Sequence, residues 1–231
     1  MRYDLIREPV PVSPTAHFLM GGVPIDLECK TPLEGLFAAG EDAAGVHGAN
    51  RLGGNGVAES TVYGGLVGDV MAASCHDVAL GPFSKMQVEE LVRKTTRPFE
   101  RVDGGSVYPL RDRMKEVMWR KAGLVRNREQ LDSSREELAE IREALGGVHC
   151  GKDREYNLAW ADWLNMENYL DVSDAIVNGA LSREESRGSH YRSDFPEQDD
   201  EHCRCNLVFT MSEQTPVRKD VVFSRMSPNE R

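Results

Sequence analysis

The stretch HGANRLGGNG, residues 47–56, sets a single arginine among four glycines. Glycine serves where the backbone must pass through positive φ or approach another group closely. The stretch therefore reads as a loop cleared of bulk around one guanidinium. Before it, GLFAAGE (35–41) is a short apolar run closed by a glycine and an acid, the pattern of a buried strand ending at a ligand edge. After it, NGVAESTVYGGLVGDVMAAS (55–74) places Val57, Val62, Leu66, Val67, Val70 and Met71 at helical spacing, with Asn55 in the N-cap position. A loop that empties into a helix N-terminus presents free N–H groups to electron-rich oxygens, which suits a flat, polar-edged cofactor lying against backbone. Arg51 has two readings at this level. It is a planar fork for a ligand carboxylate, or a structural residue tied to a nearby Asp or Glu, and spacing alone leaves both open.

Working outward, EPVPVSPTAHFLMGGVPID (8–26) reads as extended chain broken by prolines, then a turn at Gly21–Gly22 and a short strand. Residues 1–78 hold 12 of the 21 glycines, whereas the rest is dominated by charged, helix-favouring runs, so two structural regimes are expected. Residues 79–110 have the Pro and Gly content of a connector around one short helix, MQVEELVRKTT. Helices are expected over 111–125 and 127–145. A third is expected within 154–186, with Leu158, Trp160, Trp163, Leu164, Tyr169, Leu170, Ile176 and Val177 available for packing. Joined in part by GGVHCG (146–151), they form an up-down-up bundle over 111–186. The remainder, 187–231, combines a polar surface loop, RSDFPEQDDEHCRC (192–205), with two short strands across a turn in 206–223. The fold class is α+β: short strands, a glycine-rich loop and a helix, then a three-helix bundle and a strand-containing tail.

The formal net charge of −10 argues against nucleic acid or an anionic membrane as the main partner. Five scattered cysteines (Cys29, Cys75, Cys150, Cys203, Cys205) form no disulfide framework, which predicts a reducing, cytoplasmic setting. MRYDLIREPVPV lacks an apolar leader core, and no run approaches the ~20 apolar residues of a membrane span. Direct membrane insertion is therefore not expected, and any contact with the inner membrane would pass through partners. His202, Cys203 and Cys205, like His149 and Cys150, lack the second tight pair that structural zinc needs, so no metal is assigned. His47 reads as a residue bracing the loop, and Trp160 and Trp163 as core.

PTAHFLMGGVPID, GLFAAGED and HGANRLGGNG occur here in the order and spacing in which similar motifs occur in the flavoprotein subunits of succinate dehydrogenase and fumarate reductase, and more loosely in L-aspartate oxidase. ESRGSHYRSDFPEQDDEH also resembles the segment after the helical bundle in that family. The resemblance covers nearly the whole chain but only the C-terminal part of such a flavoprotein. It implies that residues 1–78 are the C-terminal portion of an FAD-binding α/β domain. The G-x-G-x-x-G that holds the ADP portion of FAD has no match here: Gly53, Gly54 and Gly56 have the wrong spacing. An N-terminal FAD-binding half is thus the implied partner, whether separately encoded or earlier in a longer polypeptide, together with an iron–sulfur subunit for electron transfer.

Residue by residue, the resemblance implies that His17 hydrogen-bonds a dicarboxylate substrate and that Arg51 clamps one of its carboxylates. Glu41 would contact FAD through sugar-like hydroxyls. Gly56 and Val57 would lie at the pyrimidine edge of the flavin, and Gly21 and Gly22 would let the chain pass close to the ring system. Many members have Asn-Ser where this chain has Asn55-Gly56, so a hydroxyl contact is missing and a backbone one is implied. In the family's chemistry hydride passes between flavin and a dicarboxylate while charge builds toward one carboxylate, where an arginine and a histidine stabilise the transition state most. His190, Arg187, Arg192 and Asp194 fall in the matching later segment and read as a salt-bridged surface or interface patch. A second functional class stays open, a non-catalytic module docking an electron-transfer partner. Retention of both His17 and Arg51 favours the enzyme.

Overall fold

The computed structural model describes residues 4, 6–13, 16–78, 81–210 and 215–223. It divides into two compact units, Met1–Leu80 and Gly81–Arg231.

In the first unit the sheet is minimal. Strand β1 (Val23–Pro24) pairs in parallel with β2 (Ala43–Ala44), Val23 opposite Ala43. Gly22 makes this pairing possible, because a Cβ there would lie 2.2 Å from the Asp42 carbonyl oxygen. The strand expected over 35–41 is not formed. Phe37 makes only an isolated bridge to Lys30, and Gly40, at φ 81°, turns the chain into a 3-10 turn over Gly40–Asp42 before β2 begins. Helix α1 (Asn55–Asp77) follows the glycine-rich loop. Its N-cap is Gly54 rather than Asn55. The chain enters in the left-handed region (φ 87°), which glycine adopts without strain, and Asn55 is already helical with no capping bond from its side chain. Along α1 only Gly56 and Glu59 are buried among the described residues, while Val57 and Val62 are 78% and 65% exposed.

The second unit is built on helices. Helix α2 (Lys85–Thr96), capped by Ser84, leads through a 3-10 turn at Arg97–Glu100. Helices α3 (Val107–Lys121), α4 (Arg128–Leu145) and α5 (Leu158–Ser182) pack against one another around one core. Leu131, Leu138, Ile141 and Leu145 of α4 meet Trp163, Met166, Leu170 and Val177 of α5, each set recurring three, four or seven residues apart, and Val107, Met114 and Val117 of α3 complete the core. Helix α3 starts four residues earlier than expected because the Ser106 hydroxyl caps it, accepting from the Tyr108 N–H. It ends at Lys121 because the next turn folds back closely, a Cβ on Gly123 lying 2.2 Å from the Trp119 carbonyl. Leu158 and Tyr169, expected to pack, are exposed instead.

The polar segment after α5 also departs from expectation. Arg192 and Glu185 are fully buried, while Arg187 and His190 are half-buried and Asp194 is exposed, so the salt-bridged cluster expected at a surface or interface is rooted in the interior. Arg192 makes a bidentate pair with Asp194 (2.7 Å each) and donates to the Ala180 carbonyl at 2.6 Å. Glu185 accepts from Arg183, from Arg187 twice and from the Asp199 N–H. Arg126, between α3 and α4, donates to His190 Nδ1 at 2.9 Å, tying this segment to the bundle. The tail adds β3 (Cys205–Val208) antiparallel to β4 (Val217–Asp220), with part of the turn between them, 211–214, outside the described residues. Among the described residues no helix is long and apolar enough to cross a membrane.

Candidate functional site

Within the first unit the loop, the 3-10 turn and the first turns of α1 line an open cavity of about 510 Å³. His17, Glu41, Arg51, Gly56 and Val57 line it, together with Phe18, Gly54, Ser60 and Thr61. The fold thus brings together five of the eight residues singled out in the sequence. Asn55, Gly21 and Gly22 are not in the lining. Gly21 faces open space, whereas the bareness of Gly22 is explained by the close approach of Asp42. Asn55 is exposed, its N–H donating to the Leu52 carbonyl at 3.1 Å.

Arg51 is held by an aromatic ring. Its Cζ lies 4.4 Å from the centroid of Phe18, a cation–π contact. Among the described residues it forms no ion pair, its buried Nε has no partner, and Nη1 reaches only the Leu52 carbonyl at 3.5 Å. The structural reading of Arg51, in which a nearby acid ties it down, finds no such acid among the described residues. Gly56 packs on the same group: a Cβ there would come within 3.2 Å of Phe18 Cε2 and 3.3 Å of Arg51 Nη1.

Glu41 projects from the 3-10 turn and accepts the Leu19 N–H at 2.9 Å, fixing the strand of chain that carries His17 and Phe18. Helix α1 opens into the cavity with no side-chain cap; the Asn55 N–H is taken by the Leu52 carbonyl, and the next N–H groups, from Gly56 onward, are the ones a ligand can meet. Ser60 and Thr61, one turn in, direct their hydroxyl protons back to the Gly56 and Val57 carbonyls at 2.9 Å. Beneath the loop, His47 Nε2 and Glu59 Oε2 are 2.6 Å apart, and the His47 ring meets Phe18 edge-on at 5.2 Å. A guanidinium with unused donors, a histidine and a bare helix N-terminus around one cavity can bind an organic acid beside an electron-rich ring.

Phe18, Ser60, Thr61 and Glu59 were not legible as site residues. Phe18 sits beside His17 inside a quoted motif, and Ser60 and Thr61 follow Gly56 and Val57 by four residues, signals that helical spacing could have supplied. Among the described residues no three His, Cys, Asp or Glu side chains gather where a metal could sit, and His202 bonds Asp199 instead.

Residues 111–231 match the family model described as fumarate reductase flavoprotein C-term, and residues 2–57 match an FAD binding domain model. The chain is 32% identical over 240 residues to the 8-methylmenaquinol:fumarate reductase flavoprotein subunit of Wolinella succinogenes, covering 99% of this chain and 39% of that one. It is 32% identical to the L-aspartate oxidase of Synechocystis, covering 84% and 36%. Its backbone superimposes on an E. coli quinol fumarate reductase chain with a TM-score of 0.85 at 29% identity, covering 96% of this chain and 40% of that one. The chain therefore spans about two-fifths of the length of these relatives. With one family model matching more than half of its length and a second matching residues 2–57, the chain belongs to the succinate dehydrogenase and fumarate reductase flavoprotein family.

Proposed function

We propose that this chain supplies carboxylate-binding and flavin-facing residues to an FAD-dependent oxidoreductase in which hydride passes between flavin and a dicarboxylate. The observation that carries the reading is Arg51, a cation stacked on Phe18 at the cavity wall with donors that no residue of the described chain uses. The residues fit FAD on the same grounds: an orphaned buried Nε, an uncapped helix N-terminus, and a loop stripped at Gly54 and Gly56. When bound, FAD supplies the two-electron centre that exchanges hydride with the dicarboxylate.

This chain's part is to bind, orient and polarise. Arg51 donates to one carboxylate of the substrate, and His17, on the same cavity wall, hydrogen-bonds the acid as well. Because negative charge builds toward the clamped carboxylate, Arg51 holds the transition state more tightly than the ground state. The N–H groups at Gly56 and Val57 meet the cofactor's electron-rich edge at the helix N-terminus, with Asn55 shaping the entry and Gly21 leaving clearance. Glu41, one oxygen of which already braces Leu19, offers the other to a sugar hydroxyl. The bundle over 111–186 is scaffold.

The partner reading rests on α1. Its largely exposed apolar surface and the chain's two-fifths share of its relatives support an N-terminal FAD-binding half as the element that covers it. An iron–sulfur subunit is the proposed electron-transfer partner, and it would bring the assembly to the membrane peripherally. The test is co-expression with that half, an absorbance scan for flavin and a stopped-flow assay of fumarate-dependent reoxidation. The reading expects a flavin-loaded complex that fumarate reoxidises, and an Arg51→Lys complex that keeps its flavin but loses about 100-fold in kcat/KM. An Arg51→Lys complex that reoxidises at the wild-type rate would refute it.

A further inference from the structure

Arg51 poses a physical problem. A clamp for a carboxylate must hold one pose before the substrate arrives, yet among the described residues no acid and no short hydrogen bond fixes this guanidinium. Its position is set by the ring on which it stacks, so whatever fixes that ring fixes the clamp.

Phe18 is braced by His47, the two rings meeting in a T-shaped contact at 5.2 Å and 77°. His47 is fixed in turn by Glu59, at 2.6 Å, with 6% and 2% of the two side chains exposed. Glu59 lies one turn inside α1 and His47 at the head of the loop, so their bond closes residues 47–59 into a clasp around Arg51. As a stabilising device the pair is a poor choice. The second carboxylate oxygen, Oε1, is buried and accepts no hydrogen bond among the described residues, a cost that an apolar pair of similar volume would avoid. As a positioning device it is apt. An acid placed directly on Arg51 would fix the guanidinium but compete with the substrate for its charge, whereas an acid two groups away fixes the pose and leaves the donors free.

We propose that Glu59 and His47 are positioning residues that hold Arg51 in its ligand-facing pose through the ring of Phe18. This rests on Arg51 being the carboxylate clamp only for its kinetic consequence; the positioning itself is a property of this chain. Gly56 completes the grip, its bare Cα facing both Phe18 and Arg51.

Two measurements test it. In the chain labelled with ¹⁵N-arginine, the Arg51 Nε–H proton is expected to be ring-current-shifted and slow to exchange. Both Glu59→Gln and His47→Gln should return it toward the free-arginine position, while the other arginine signals stay in place. Should Glu59→Gln fail to fold, His47→Gln carries the test, since its amide still donates to Glu59. An Arg51 signal unmoved in a folded variant overturns the proposal. In the flavin-loaded complex, Glu59→Gln is expected to raise KM for fumarate and Ki for malonate about tenfold with flavin content unchanged, and to add little on an Arg51→Lys background. An equal loss on both backgrounds means the pair acts elsewhere and overturns the proposal. If Arg51→Lys itself leaves KM and Ki untouched while the Nε–H shift responds, positioning stands and the carboxylate-clamp reading fails.

Discussion

Arg51 rests on a ring rather than on an acid, and this decides how much charge it can offer a ligand. Gly56 is the residue most exposed to a test of that arrangement. A methyl there meets Phe18 Cε2 and Arg51 Nη1 at 3.2 and 3.3 Å, yet the position is an ordinary helical one where alanine is favoured by up to about 1 kcal/mol. Gly56→Ala is therefore expected to leave thermal stability unchanged or slightly raised while KM for the dicarboxylate climbs about tenfold, as read by melting curves beside steady-state kinetics. At the other end of the chain, burial pushes His190 down to about 4, aided by the nearby Arg126, Arg183 and Arg192 charges. The folded state holds this imidazole neutral while the unfolded chain protonates it near its ordinary value of 6.5. Its contribution is thus full above that value and lost as pH falls through the folded one. Asp194, held down to about 2 by its bond from Arg192, stays ionised throughout that window. The unit should lose on the order of 2 kcal/mol between pH 7 and pH 5 through His190, and His190→Gln should flatten the dependence in urea titrations. The loop arginine was legible in sequence because four glycines isolate it. Its grip was not, since Phe18 and His47 reach it only through the fold.

At the scale of elements, α5 owes its start to one side chain. Asn157 accepts the Trp160 N–H at 2.9 Å, and its amide donates to the Cys150 and Asp153 carbonyls at 2.6 Å each. Asn157→Ala removes the cap and leaves two carbonyls of the incoming turn short of a donor. A loss of about 1–3 kcal/mol is expected, measured by denaturant unfolding with an unchanged m-value. The positions of α4 and α5 were readable because their buried residues repeat at three and four, as Leu131, Ser134, Leu138, Ile141 and Leu145 do. The strand expected at 35–41 failed for a local reason, Gly40 at positive φ, which hydrophobicity does not report. The charged segment after α5 is mostly exposed, as its composition suggests, but composition counts polar groups without pairing them and does not report the two that are buried. Arg192 and Glu185 are interior because every strong donor and acceptor in that cluster finds a partner within it.

For the whole molecule, α1 is an element whose surroundings are incomplete, as α2 is too, with Val57, Val62, Leu66 and Met71 all exposed along a helix that also opens the cavity. The chain alone is expected to bind flavin weakly or not at all, and co-purification of stoichiometric, active FAD with it would contradict the need for an N-terminal half. The claim on which the rest depends is that Arg51 and His17 hold a carboxylate beside the flavin. Its most direct test is a crystal structure of the assembled flavoprotein with FAD and malonate. The account predicts the Arg51 guanidinium against a malonate carboxylate, still stacked on Phe18, with His17 on the same ligand and the N-terminus of α1 at the flavin edge. A guanidinium swung away and paired to a protein carboxylate, with malonate bound elsewhere, would contradict it.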